Sequence, residues 1–149
     1  MNFKGELVME LYVHCDPALE IGDMFDGNKK VIPIVGGSFE GPNIKGEVLP
    51  GGADWNVTRP DGSSEVWARY TLKADDGTLI SVTNQGKLVP KPSARDEDKP
   101  FNFKEDMYVY TVPSFEVANE KYNWLNNSMF IGTLDLDPKG VHLHIYKIV

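Results

Sequence analysis

An acidic and a basic side chain, Asp54 and Arg69, occupy positions where their charges could serve a buried site. Asp54 follows the small residues at 51–53, which would let a ligand approach its carboxylate. Arg69 stands within an apolar run, where a permanent cation is costly unless it is paired or faces water. A pair of these side chains inside a folded sheet could orient a carbonyl or carboxylate ligand, with Asp54 as general base. We therefore predict Asp54 and Arg69 as catalytic residues.

The opposite placement of Arg69 is equally compatible with the sequence. On the outer face of a sheet, Arg69 would lie on the same side as Glu65 and Lys73, because side chains alternate between the two faces of a strand. It would then form a modest surface ion pair, worth little stability. The sequence leaves both placements open.

A set of aromatic and amide side chains could line an apolar pocket with a few polar groups that orient a ligand. The short helix and the Pro-rich loop described below would close this pocket. Aromatic side chains at such spacings more often belong to the plain core, which is the alternative. The predicted ligand-binding residues are Trp55, Asn84, Phe115, Tyr122, Trp124 and Asn126.

Three histidines raise the question of a metal. His142 and His144 share one face of a strand, and His14 could approach them if the first and last strands pair. The alternation of both strands places the histidines outside the core, and no residues that would orient them are evident. We therefore expect no metal site. The glycine-rich stretch at 36–52 lacks the spacing of a phosphate-binding loop, so we expect no bound nucleotide and no tightly held cofactor.

The elements that must position these residues are strands. Apolar residues fall on odd positions from 3 to 13, which is the period of a strand with one buried face. Residues 53–59, 64–74 and 78–84 form three strand-like runs separated by Asp-Gly turns, which predicts a meander. Six glycines between 36 and 52 are typical of bends and bulges where a sheet curls.

The second half of the chain continues the pattern. Residues 86–104 are rich in Pro and charge, which predicts a long exposed loop. A strand at 107–117 follows, then a short helix at 120–127 and a terminal hairpin at 128–149. We predict an all-β fold, a single antiparallel β-barrel of about eight strands with one short helix, forming one domain over residues 1–149.

Composition limits the partners. The chain has 149 residues and a net charge of −7. Binding to nucleic acid or to an anionic membrane requires clustered positive charge, so we expect neither as a partner. It shows no long apolar span and no signal-peptide pattern, which favours the cytoplasm. Cys15 is the single cysteine, so no internal disulfide can form.

A longer string of residues resembles a known family. Residues 33–55 contain paired glycines at 36–37 and 51–52 and end in Ala-Asp-Trp, and similar matches continue at 68–72, 75–77, Phe115 and 122–126. These stretches resemble the family called domain of unknown function 3237, or UPF 0311. The resemblance implies a β-barrel of about this length, in a family whose members mostly lack an assigned activity, and it supplies no mechanism.

These observations favour a small-molecule-binding barrel that acts as an isomerase, cyclase or lyase on an organic substrate. The alternative is a non-catalytic binding or scaffold barrel that acts through an oligomer interface. The sequence does not decide whether the chain is an enzyme. The even positions of the terminal strands carry aromatic and β-branched side chains on the predicted outer face, which predicts a homodimer. They are Val8, Tyr12, His142, His144, Tyr146 and Ile148.

Overall fold

The structure, a computed structural model, describes residues 1–149. The first half of the chain forms strands β1 (Gly5–Cys15), β2 (Leu19–Met24), β3 (Gly27–Gly41), β4 (Ile44–Val48), β5 (Gly52–Thr58), β6 (Ser64–Ala74) and β7 (Leu79–Pro90). The second half contains a 3₁₀ turn at Pro92–Arg95, helix α1 (Phe103–Asp106), strand β8 (Met107–Val117), a 3₁₀ turn at Glu120–Tyr122, helix α2 (Asn123–Asn126), and strands β9 (Phe130–Asp137) and β10 (Gly140–Ile148).

Eight strands close into an antiparallel ring in the order β1-β10-β9-β8-β7-β6-β4-β3, with β3 pairing back to β1. The other two strands extend the N-terminal half of β3: β2 pairs with β3, and β5 lies between β3 and β6. Closure removes the unpaired sheet edges that an open sheet would expose. The predicted barrel is confirmed, and the predicted meander corresponds to β5, β6 and β7.

Glycines allow β3 to bend from one set of partners to another. The C-terminal part of β3 pairs with β1, whereas its N-terminal part pairs with β5. Gly37 has a φ of +132°, and a Cβ there would overlap the Tyr12 carbonyl of β1. Gly132 of β9 faces Thr111 of β8, where a Cβ would overlap the threonine hydroxyl. Glycine therefore permits the close approach of strands that closes the ring.

The core lies inside the ring. On β10, and on β1 from Met9 onward, apolar odd positions face the core, among them Leu11, Leu143 and Ile145, while the even positions face outward. Before Met9 a bulge interrupts the alternation, so Leu7 is exposed and Val8 packs against the core. From Met9 onward this is the orientation that the alternation predicts, whereas the outward placement predicted for Val8 is wrong. A hydrogen-bonded network of strands thus surrounds one cluster of apolar side chains. No helix in the structure is both long and apolar enough to cross a membrane.

The connection between β7 and β8 is shorter than the predicted loop at 86–104, although most of its residues are exposed, as predicted. Strand β7 continues to Pro90, and a strap at 91–106 then crosses to β8. The buried Asp106 carboxylate holds this strap, because it accepts hydrogen bonds from Lys99 Nζ at 2.8 Å and from the Asn102 N–H at 2.7 Å. Strand β2 was missed in the sequence, since its residues are mostly exposed and carry no clear alternation.

Candidate active site at the open end of the barrel

The two ends of the barrel differ in how they are filled. At one end the 3₁₀ turn and α2 cover the interior, where Tyr122 and Leu125 are buried beside Phe130. The Asn126 side chain fastens α2 to β8, since it accepts from the Val117 N–H at 2.9 Å and donates to the Val117 carbonyl at 2.8 Å. We call this region the closed end.

At the opposite end, side chains that face the interior keep contact with solvent. They lie on the same strand faces as buried core residues, yet they are only partly buried. Because these inward-facing groups remain partly accessible, this end of the barrel is not covered as the closed end is. We call it the mouth, and its partly buried inward-facing residues are Cys15, Lys30, Ile32, Asp54, Val66, Leu88, Val109, Leu134 and Val141.

Asp54 lies on the inner face of β5 at the mouth. It pairs with Ala68 of β6 and Ile32 of β3, both across the inner face. One carboxylate oxygen accepts the Trp67 N–H at 2.9 Å, in a stretch where β5 and β6 form no regular backbone pairs. The other accepts from Asn56 Nδ2 at 3.4 Å, and Thr58 Oγ1 donates to Asn56 Oδ1 at 3.2 Å. The carboxyl group is therefore held in place by its neighbours.

Burial raises the pKa of Asp54 above its ordinary value. Hydrogen bonds from the Trp67 N–H and the Asn56 amide, together with the positive charge of Lys30, oppose this rise without cancelling it. A carboxyl group with a raised pKa holds its proton more readily than an ordinary aspartate. A positioned carboxyl group whose pKa is raised is the kind of group that can act as a general acid or base.

Two polar atoms beside this region have no hydrogen-bond partner. They are Asn84 Oδ1 on β7 and Thr111 Oγ1 on β8, and both residues are almost completely buried. Asn84 pairs across the inner face with Ala68, which itself pairs with Asp54. A buried polar atom without a partner costs about 1–3 kcal/mol. The oxygen atoms of Asn84 and Thr111 are therefore two unsatisfied polar atoms in the barrel interior, both inaccessible to solvent in this structure.

Cys15 and Tyr70 add two neutral polar groups to the same interior. Burial raises the pKa of the Cys15 thiol, and the negative charges of Asp54 and Asp16 raise it further. Burial also places the pKa of Tyr70 far above its ordinary value, with a smaller contribution from Cys15. Both groups therefore stay protonated at neutral pH and can serve as hydrogen-bond donors.

The structure separates Asp54 from Arg69. Arg69 alternates with the inward-facing Ala68 and Tyr70, so its side chain lies on the outer face, where it is exposed. It forms no ion pair with Asp54. The prediction that Asp54 and Arg69 pair inside the barrel is therefore wrong. Arg69 does share the outer face with Glu65, but Glu65 pairs with Arg59 instead, at 2.8 Å.

The predicted ligand-binding residues do not line one pocket. Trp55 is 44% exposed on the outer face and packs against Trp67, with ring centroids 6.2 Å apart. Phe115 and Trp124 contact Phe130 edge-on at the closed end, which matches the alternative of plain core packing. Tyr122 and Asn126 also belong to the closed end, where the Tyr122 hydroxyl donates to Asp76 at 3.1 Å. Asn84 alone lies near the mouth.

Several mouth residues were missed in the sequence although a signal for them existed. Cys15 continues the odd-numbered series of β1, and Asn56 lies two positions from Asp54 on the same face. Thr111 lies on the face of β8 opposite to the exposed Tyr108 and Tyr110. The alternation of inward and outward side chains along each strand could have assigned each of them to the interior. Which end of the barrel is open could not be inferred from parity.

The histidines lie outside the barrel, as expected. His142 and His144 face outward on β10, and His14 is not part of their cluster. Glu10 of β1 completes a group in which one ligand atom from each of Glu10, His142 and His144 lies within 4.8 Å of the others. This group is the set of side chains in the chain best placed to hold a metal ion.

Comparison with known proteins identifies relatives over the whole chain. A UPF0311 protein of Clostridium acetobutylicum is 36% identical over 151 aligned residues, which cover 99% of this chain and 94% of that protein. The crystal structure of a β-barrel-like protein from Acinetobacter baumannii superimposes with a TM-score of 0.90 at 29% identity, covering 100% of this chain and 98% of that one.

A relative with a named activity also matches. The hydroalkoxylation enzyme phnH of Penicillium herquei is 31% identical over 114 residues, which cover 76% of this chain and 62% of that protein. The family model described as protein of unknown function DUF3237 matches residues 3–148. The family suggested by the sequence is thereby confirmed, and the chain belongs to the DUF3237, or UPF0311, family.

Proposed function

We propose that this chain is a small-molecule-binding barrel that catalyses proton-transfer chemistry, as an isomerase, cyclase or lyase, on an organic substrate held in the mouth. The observation that carries the proposal is the Asp54 carboxyl group, with its raised pKa, on the inner face of an open barrel end. The unpartnered Asn84 and Thr111 oxygens support it, since they offer acceptors to a hydroxyl group of the substrate.

The chemistry that fits one such carboxyl group is the addition of a hydroxyl group across a carbon–carbon double bond. Protonated Asp54 gives its proton to one alkene carbon, and the hydroxyl oxygen forms a bond to the other carbon. The hydroxyl proton then passes to the Asp54 carboxylate, which restores the starting state. All atoms of the substrate are retained in the product, so this cycle requires no tightly held cofactor.

The named relative supports this class of reaction. A hydroalkoxylation is the addition of an alcohol to a double bond, and the Penicillium herquei protein bearing that name is 31% identical over the aligned part. An intramolecular version of this addition is a cyclisation, and its reverse is an elimination. The isomerase, cyclase and lyase alternatives therefore share the same requirement for one positioned proton donor and acceptor.

The test begins with a thermal-shift screen of alkenols, alkenyl phenols and their cyclic ethers, because a ligand of the native state raises the melting temperature by mass action. Compounds that bind are then incubated with the protein in D₂O. We expect deuterium at the new C–H position of the product. Asp54→Asn should fold normally and lower the turnover rate by about 100- to 10,000-fold, the usual contribution of a general acid–base group.

Arg69→Gln is the matched control, since Arg69 lies on a neighbouring strand but on the outer face. It should retain the turnover rate of the wild type. Equal activity of Asp54→Asn and the wild type would refute the proposed role of Asp54. A screen in which no compound binds, or in which ligands bind equally well to Asp54→Asn without turnover, would favour the rival function.

That rival is a non-catalytic binding or scaffold barrel. The specific observation in its favour is the exposed outer face around Trp55 and Trp67, which are 44% and 46% exposed. Large exposed aromatic side chains are enriched where proteins bind one another. Under this function, Trp67→Ala would abolish partner binding or self-association, whereas Asp54→Asn would have no effect on either.

A further inference from the structure

The outer face of the barrel carries a second cluster of reactive side chains, well separated in direction from the mouth. Glu10 lies opposite His144 in the pairing of β1 with β10, and Tyr12 lies opposite His142. All four side chains point away from the core, because their neighbours Leu11 and Leu143 are buried. We propose that Glu10, His142 and His144 form a binding site for a divalent transition metal, with Zn²⁺ as the best match.

The spacing of the ligand atoms fits one small ion. His144 Nε2 lies 2.8 Å from Glu10 Oε1, and His142 Nε2 lies 3.4 Å from the same oxygen. Zinc holds nitrogen and oxygen ligands at about 2.0–2.2 Å in a tetrahedron, so its ligand atoms stand about 3.3 Å apart. The three side chains can therefore surround one ion with small rotations and no movement of the strands.

The state of His142 indicates that hydrogen bonding alone does not satisfy the cluster. Its Nε2 atom is buried and lies 3.4 Å from Glu10 Oε1, but the two atoms do not form a hydrogen bond. The Tyr12 ring stacks on His142 at 4.2 Å between centroids with an interplanar angle of 10°, which fixes the imidazole orientation. An ion at the centre of the cluster would supply the missing partner of this nitrogen.

The donor set selects the class of metal. Two imidazole nitrogens and one carboxylate suit zinc and its neighbours in the first transition row, whereas Ca²⁺ and Mg²⁺ prefer sites made only of oxygen. Three protein ligands leave a fourth position open, as in catalytic zinc sites.

The open position would face a groove on the outer surface. His142 and His144 line this groove of about 620 Å³ together with Tyr108, Tyr110 and Tyr146. The histidine side chains are 22% and 32% exposed, so an ion could enter from solvent. The aromatic walls would let a small molecule with an oxygen or nitrogen donor reach the ion. The site is independent of the proposed function of Asp54.

Titration calorimetry with ZnCl₂ on chelator-treated protein tests the proposal. We expect one Zn²⁺ per chain and a rise in melting temperature. Co²⁺ at the same site should give the visible absorption of a tetrahedral ion. Glu10→Gln and His144→Ala should each weaken Zn²⁺ binding at least on the order of tenfold, since each loses one of three ligands. Their metal-free melting curves establish that both variants fold.

His14→Ala is the matched control, because His14 lies on the outer face of β1 but outside the cluster. It should bind Zn²⁺ as the wild type does. Absence of saturable Zn²⁺ binding would overturn the proposal. So would binding that persists unchanged in both ligand variants, or binding that His14→Ala weakens as strongly as His144→Ala.

Discussion

The closed end and the mouth are built from the same strands, but their interiors differ in composition. Around Leu125 and Phe130 the closed end is apolar, with Phe115 and Tyr122 buried in the same core cluster. Around Asp54 the mouth contains a carboxyl group and two polar side chains, Asn84 and Thr111, whose oxygens lack partners. Both ends obey the same alternation of inward and outward residues.

This difference shows how one small barrel can carry both a stabilising core and a costly polar site. Hydrophobic burial at the closed end supplies stability, while the mouth retains polar groups that would be unfavourable in a purely structural interior. Polar residues that reduce stability at one place are expected where a protein binds or reacts. The comparison can therefore be tested by substitutions matched between the two ends.

The largest difference is expected for leucines. Leu125 at the closed end is 1% exposed, so Leu125→Ala should lower the free energy of unfolding by about 2–5 kcal/mol. Leu134 faces the mouth and is only partly buried, so Leu134→Ala should cost less than about half as much. Urea unfolding measures both values. Equal losses would mean that the mouth is packed as tightly as the closed end.

The strap between β7 and β8 should lose its anchoring contacts at low pH. Hydrogen bonds from Lys99, Asn102 and Ser93 lower the pKa of Asp106 to about 2, with Lys99 the main cause. A lowered pKa in the folded state stabilises the fold above the ordinary value of 3.8, and this stabilisation is lost as the pH falls toward 2. Asp106→Asn should therefore melt at a lower temperature than the wild type at pH 6.

The difference between Asp106→Asn and the wild type should shrink as the pH falls from 4 to 2. Melting curves recorded by circular dichroism across this range test the expectation. Glu105→Gln, at the exposed neighbouring position, is the control and should follow the wild type throughout. A difference that stays constant down to pH 2 would contradict the assigned role of the Asp106 charge.

Two asparagines, one at each end, should respond in opposite directions. Asn84→Leu removes an unpartnered buried oxygen, so it should raise the free energy of unfolding by about 1 kcal/mol and abolish ligand binding. Asn126→Leu removes two hydrogen bonds to Val117 and should lower the free energy of unfolding by about 1–2 kcal/mol. Chemical unfolding separates the two. A loss of stability in Asn84→Leu would show that Asn84 is a structural residue.

The smallest effect is expected at the outer face of the terminal strands, for which the sequence predicts a homodimer. This face also carries His142 and His144, so a dimer that buries it would close the groove beside the proposed Zn²⁺ site. Tyr146 faces outward on β10, and Tyr12 on β1 is 41% exposed. Tyr146→Glu would place a charge in such an interface and should shift a dimer toward monomer without changing the fold. Light scattering at micromolar concentration measures the mass. A wild-type chain that is already monomeric would contradict the dimer.

The sequence predicted most of the fold because strand alternation and turn residues are local signals. The odd positions of β1 and β10 and the Asp-Gly turns before Ser64 and Leu79 identified strands whose pairing the structure bears out. Strand β2 gave no such signal, since it buries little. The strap at 91–106 was missed as an ordered segment because Asp106 holds it through hydrogen bonds to nearby polar groups, and the segment buries little apolar surface.

The site was less accessible to sequence reasoning. The small residues before Asp54 indicated a site there, and the structure places Asp54 on the inner face. Asp54 pairs with Ala68, so the next residue, Arg69, faces outward. The aromatic residues Phe115 and Tyr122 lie at the closed end because the chain order of the strands determines which end α2 covers. That choice depends on long-range pairing, which no local pattern reveals.

The most direct test of the account is the titration of the Asp54 carboxyl group, followed by carbon-13 NMR in the ligand-free protein. Burial at the mouth should raise the pKa of Asp54 above 3.8. Asp76 serves as the comparison, because hydrogen bonds from Thr78 should lower its pKa to about 2. Asp54→Asn assigns the resonance. A pKa of Asp54 at or below 3.8 would contradict the claim that the mouth holds a proton donor for catalysis.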